Sequence, residues 1–299
     1  MLFVFCVVSL GAYPKDPDSG LVFNDQKFNW ETLSVSGKAS ELKRALLVAP
    51  DDIPDRGHFS NSSMARVELL EISPGEALPP YTVSEDAREQ IFIVLAGKVE
   101  CQAGGQRLVA SLHDIIFVPP GVSRSLVAVG DGNARVLRAD WQSKGTLAED
   151  GGQAFIVSEK LRPVEPTNGE GYVSVVPNAR QQGNALSIVS FGAGHIKSSN
   201  SLLLYPLDID SGRPFRANTL IARMGLSQYA AEGGTRWHFH ADREQCLVVL
   251  SGKGLVEIGA NTIEAKEGDI IFAPRHVGHG YKTIGDEPFK FLELEWGRM

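Results

Sequence analysis

REQIFIVLAGK, residues 88–98, and REQCLVVLSGK, residues 243–253, are one phrase written twice, 155 residues apart. The same offset carries HDIIFVPPGV (113–122) onto GDIIFAPRHV (268–277) without a gap, and 15 of the 35 residues from Arg88 to Val122 equal their counterparts. A register held over that length is an internal duplication. Each copy consists of short β-branched and aromatic runs, such as IFIVLAG, RLVA and DIIFVPPG, broken by Gly, Pro and Asn. Short strands at close, even spacing predict an all-β sandwich or barrel, because the intervals leave no room for crossover helices and show no helical period.

Working outward, 299 residues have room for two compact cores, and 43% hydrophobic with 22% charged residues is the balance of a soluble globular chain. The predicted division is an N-terminal arm at 1–60, a first barrel at 61–145, a Gly-, Ser- and Pro-rich linker with added strands at 146–215, and a second barrel at 216–299. YVSVVP and ALSIVSF are the linker runs expected to add those strands. A net charge of -7 gives no basic field for phosphate backbones, so the expected partner is a small molecule rather than nucleic acid. Three scattered cysteines, Cys6, Cys101 and Cys246, build no disulfide framework and read as reduced packing residues. The opening run MLFVFCVVSLGA, residues 1–12, is too short to span a bilayer, and no basic residue precedes Lys15 as a secretory signal requires. A truncated secretory or organellar signal, a strand packing on a barrel, and a gene-model artefact are the open readings of that run. A cytoplasmic setting without membrane contact is expected, and a homo-oligomer is compatible with it.

The second copy carries the chemistry. GGTRWHFHADREQCLVVLSG (233–252) and GDIIFAPRHVGHGY (268–281) resemble the two motifs of the cupin superfamily, a Gly-rich approach to H-x-H with a later oxygen ligand, and G-x5-P-x-G-x-x-H. The resemblance implies two tandem cupin barrels, the double-stranded β-helix or jelly roll, and one divalent metal held by His238, His240, Gln245 and His279. His276 stands where the motif usually has Gly, and Gln245 where the commonest ligand is Glu. The spacing has its own reason: alternate strand residues share a face, so His238 and His240 project together while Phe239 turns away. Imidazole and oxygen donors suit Mn, Fe, Ni or Zn. Glu244 competes with Gln245 as fourth ligand, and Gln90, at the matching place in the first copy, leaves a structural reading open for the Glu-Gln pair.

Moving the site back by 155 puts Val83, Glu85 and Arg124 at the histidine positions, so the first barrel is expected to bind no metal and to act as scaffold. A remnant pocket around Glu85, Gln90 and Arg124 is the alternative. Four neutral donors leave the ion its full charge, which favours a small anionic substrate polarised by a Lewis acid. Glu244 and Tyr281 are the candidate catalytic residues, with Arg236, His276 and Glu293 as candidates to orient the substrate.

Across most of its length the chain resembles the ureidoglycine aminohydrolase family, in its degenerate first cupin, in ALLVAPD (45–51) and GKVECQAGGQ (97–106), and in the C-terminal motif. That resemblance implies a manganese-dependent hydrolase releasing ammonia. The family's E-x-H, three residues, H and later Gln fall by position on His238, His240, Gln245 and His279, so the donors are exchanged. The histidine set is also similar to cupins acting on unsaturated uronates and to polyketide cyclases, which implies a sugar-acid hydratase or isomerase. A three-His Fe(II) dioxygenase and a non-catalytic metabolite-binding bicupin are the remaining readings.

Overall fold

A continuous apolar run such as Cys246–Leu250 is stable in a sheet only when both faces are covered. The computed structural model describes residues 22–23, 31–35, 38–49, 58–59, 65–81, 88–103, 105–118, 120, 122–142, 155–157, 170–176, 187–206, 216–217, 223–240, 243–259, 261–273 and 277–297. Every regular element among them is a β-strand.

In the first barrel an eight-stranded sheet runs Phe155–Val157, Ile115–Val118, Arg88–Ala96, Ala134–Gln142, Ala65–Ile72, Lys38–Ala49, Glu31–Val35, with His58–Phe59 on Lys38–Ala49. Its partner is a four-stranded sheet of Ala77–Tyr81, Arg124–Ala128, Lys98–Ala103 and Gln106–Ser111. In the second barrel the strand Arg223–His238 pairs with both Phe289–Gly297 and His279–Thr283, which joins the two halves into a single sheet. That long strand ends at His238. The arm predicted at 1–60 contributes Glu31–Val35, Lys38–Ala49 and His58–Phe59 to the first barrel. Of the linker runs, Glu170–Val176 pairs with Ser187–Pro206, which pairs in turn with Arg223–His238. Residues 1–12, with Cys6, lie outside the described residues.

The barrels exchange edge strands. Val22–Phe23, ahead of the first barrel, pairs with Ile270–Ile271 of the second. Phe155–Val157, ahead of the second, pairs with Ile115–Phe117 of the first.

Three buried clusters follow from strand alternation. Phe92, Val94, Cys101 and Leu126 fill the first barrel, and Leu247, Val249, Ile271, Tyr281 and Phe291 fill the second. The third cluster takes Ile91, Ile93, Leu137 and Trp141 from one barrel and Cys246, Val248, Leu294 and Trp296 from the other, so it is the seam between them. In Arg243–Ser251 the even-numbered residues therefore face the seam and the odd-numbered ones face the barrel interior.

The duplication extends to the turns. Gly97 (φ 70°) and Gly252 (φ 72°), 155 residues apart, both sit in the left-handed region. A Cβ on Gly97 would lie 2.7 Å from the Asn133 carbonyl oxygen, and one on Gly252 2.2 Å from that of Pro288. Asp114 and Asp269 accept from the backbone N–H three residues earlier, each at 2.9 Å.

Candidate metal centre

Residues His238 and His279 are direct cross-strand partners, and their ring centroids lie 4.4 Å apart. His240 stands 5.0 Å from His238 and 5.2 Å from His279 by the same measure. One ring nitrogen from each of the three falls within 4.8 Å of the others. The approach glycines are needed for this. A Cβ on Gly234 would lie 2.1 Å from the Tyr281 carbonyl oxygen, and one on Gly278 would lie 2.4 Å from the Trp237 ring.

Hydrogen bonds settle which nitrogen faces inward. His279 Nδ1 lies 2.9 Å from the Val277 carbonyl oxygen and His238 Nδ1 2.9 Å from that of Arg236. A carbonyl only accepts, so each Nδ1 carries the proton and each Nε2 presents a lone pair, the arrangement that orients imidazoles around metals. The Nε2 atoms of His240 and His279 are buried and have no hydrogen-bond partner in the protein. Burial, followed by the Arg243 charge, pushes His240 down to about 3. Burial, followed by His238, pushes His279 down to about 4. Two neutral imidazoles with buried, unpartnered Nε2 atoms, in a trio whose ring nitrogens approach within 4.8 Å, fit a divalent ion.

Around them lies a network of alternate strand residues. The Tyr281 hydroxyl donates to the Gln245 amide oxygen at 3.0 Å. The Gln245 amide nitrogen donates to Glu293 and, at 3.1 Å, to Glu295. Ser227 donates to Glu293 at 3.0 Å, and Arg243 ion-pairs with Glu295 at 3.1 Å. Burial, reinforced by Glu293 and Glu295, holds the Tyr281 phenol well above its ordinary range, so it stays a donor. A carbonyl oxygen has two lone pairs, so the Tyr281 bond leaves one on Gln245.

The structure does not bring Glu244 to the histidines. Its carboxylate accepts from Trp296 Nε1 at 2.7 Å, in the seam, on the strand face opposite Gln245. Glu89 and Trp141 make the same bond at 2.6 Å in the first copy, at the same offset of 155. Arg236 contributes its carbonyl to His238, and its side chain is exposed. His276, Val83 and Glu85 lie outside the described residues. Cys246 faces the seam, and burial pushes its thiol up to about 12. Glu295 and Arg243 escaped the sequence reading, although the alternation in KFLELEW puts Glu295 on the face of Glu293.

The sequence profile of the cupin domain matches residues 68–139 and 225–295. A Cupin 2 conserved barrel domain protein from Leptotrichia buccalis superposes with a TM-score of 0.55 at 12% identity, over 91% of this chain and 99% of that one. A mutant of Bacillus subtilis oxalate decarboxylase gives 0.51 at 15% identity, over 93% and 79%. A glucose-6-phosphate isomerase of Pyrococcus furiosus is 39% identical over 67 residues, 20% of this chain and 35% of that protein. An uncharacterised protein of Methanocaldococcus jannaschii is 34% identical over 58 residues, 19% and 46%. The chain thus spans less than half the length of either of these two relatives.

Proposed function

Because the chain is a bicupin, with one cupin domain in each half, we propose that its second barrel is a divalent-metal centre that turns over a small anionic metabolite. The observation that carries this reading is the convergence of His238, His240 and His279, with two buried Nε2 atoms lacking any partner. Gln245 is the proposed fourth donor. A bound ion would supply Lewis-acid polarisation of a substrate oxygen. The chain's own residues do the rest. Gln245 is held in one orientation by Tyr281 on its oxygen and by Glu293 and Glu295 on its nitrogen. Glu293 also accepts from Ser227 and is only partly buried, which makes it the carboxylate proposed to take or return a proton. Arg243, paired with Glu295, adds positive charge beside the histidines.

The specific reaction we put forward is hydrolytic release of ammonia from a ureidoglycine-like compound with manganese. A second reading, isomerisation of an anionic sugar, draws support from the segment 39% identical to the Pyrococcus furiosus isomerase. Three anaerobic assays on protein loaded with Mn(II), Fe(II) or Zn(II) decide between them: ammonia release, aldose–ketose interconversion, and turnover of unsaturated uronates. Ammonia release under argon supports the hydrolase, and sugar interconversion supports the isomerase. Turnover absent under argon and seen only when the same assays are repeated in air would replace both with a dioxygenase.

A further inference from the structure

In the first barrel the metal-site positions carry guanidinium groups. Arg124 stands 155 residues before His279, Gln90 before Gln245, Arg138 before Glu293 and Asp140 before Glu295. Strand pairing adds Arg66, which sits opposite Asp140 as Arg223 sits opposite Glu295. Among the described residues Arg44, Arg66, Arg88, Arg124 and Arg138 gather here with only Glu68 and Asp140 as acids. Glu68 pairs with Arg138, and with Arg44 at 3.7 Å. Asp140 pairs with Arg88 at 3.0 Å, and Arg124 Nε donates to Gln90 Oε1 at 2.7 Å.

Among the buried donors of this cluster with no hydrogen-bond partner are Arg66 Nε, Arg138 Nε and Gln90 Nε2. A buried, unsatisfied donor costs about 1–3 kcal/mol, so three of them together call for an acceptor. One step inward along the same strands lie Leu70, Phe92 and Leu126, an apolar floor.

We propose that the mouth of the first barrel is a metal-independent site for a small organic carboxylate. Planar guanidinium forks match a carboxylate bidentately, and the apolar floor receives its carbon skeleton, for which an inorganic anion has no use. Excess positive charge disfavours a metal ion there. The test uses the full-length His238→Ala/His279→Ala protein, so that metal uptake by the second barrel cannot contribute. Calorimetric titration should show one malonate per chain, inorganic phosphate at least tenfold weaker, and at least a tenfold loss of malonate affinity in Arg66→Gln. Arg66 is the chosen residue because its Nε has no partner to lose. If Arg66→Gln does not fold, Arg66→Lys, which keeps the charge and loses the fork, must still weaken malonate severalfold. Absence of saturable malonate uptake, phosphate binding as tight as malonate, or affinity unchanged by these substitutions would overturn the proposal.

Discussion

His240 and His279 enter the folded state as neutral imidazoles, and this decides how acid acts on the protein. A free imidazole titrates near pH 6.5, whereas burial, before any neighbouring charge, holds His240 near 3 and His279 near 4. Below pH 6.5 the unfolded chain therefore binds more protons than the folded one. The sign follows: the metal-free protein loses stability as pH falls from 6.5 toward 4. For metal already bound, protons compete only near the folded values. Elemental analysis after desalting should show the metal retained at pH 5.5 and released toward pH 4, whereas half-release near pH 6.5 would contradict the burial argument. Glu244 and Gln245, adjacent in sequence, should respond in opposite ways. Glu244→Ala removes the acceptor of a buried indole N–H, costing about 1–3 kcal/mol with metal content unchanged, and Glu89→Ala should match it. Gln245→Ala should fold and weaken metal retention. A folded Glu244→Ala that has lost its metal would reverse the two roles.

At the scale of strands and turns, the glycines test the close approaches. Gly252 and Gly285 share a left-handed backbone, with φ of 72° and 82°, so Ala at either one meets roughly 1–2 kcal/mol of backbone strain. At Gly285 a Cβ meets nothing within 4 Å, whereas at Gly252 it meets the Pro288 backbone. Urea unfolding should therefore find Gly252→Ala the more destabilising by at least ~1 kcal/mol, and equal costs would mean that the Pro288 segment yields freely. The two barrels and the H-x-H pair were legible in sequence because both rest on short-range rules, the 155-residue repeat and the period of two. Glu244 was not, because an apolar run buried on both faces does not say which side is barrel and which is seam. Neither was the pairing of Val22–Phe23 with Ile270–Ile271, across more than two hundred residues, nor that of Phe155–Val157 with Ile115–Phe117, because no local pattern says which barrel an edge strand joins. The arginine cluster of the first barrel emerges only once pairing sets Arg66 beside Asp140 and Arg138 beside Glu68.

Across the whole molecule, the seam makes one folding unit of two barrels. Phe117 and its counterpart Phe272 both lie in that shared cluster. Phe117→Ala should cost about 3–5 kcal/mol, and far-UV and tryptophan signals should still fall in a single transition. Separate transitions for the two halves would show the seam to be weak. The division of labour between the barrels has a more direct test. Arg124 occupies in the first barrel the place of His279 in the second, so only one centre per chain has imidazoles to offer. Elemental analysis of the full-length protein, reconstituted with Mn(II) and dialysed, should give one metal per chain, and His279→Ala should abolish it. Two equivalents per chain, or one that survives His279→Ala, would contradict the account.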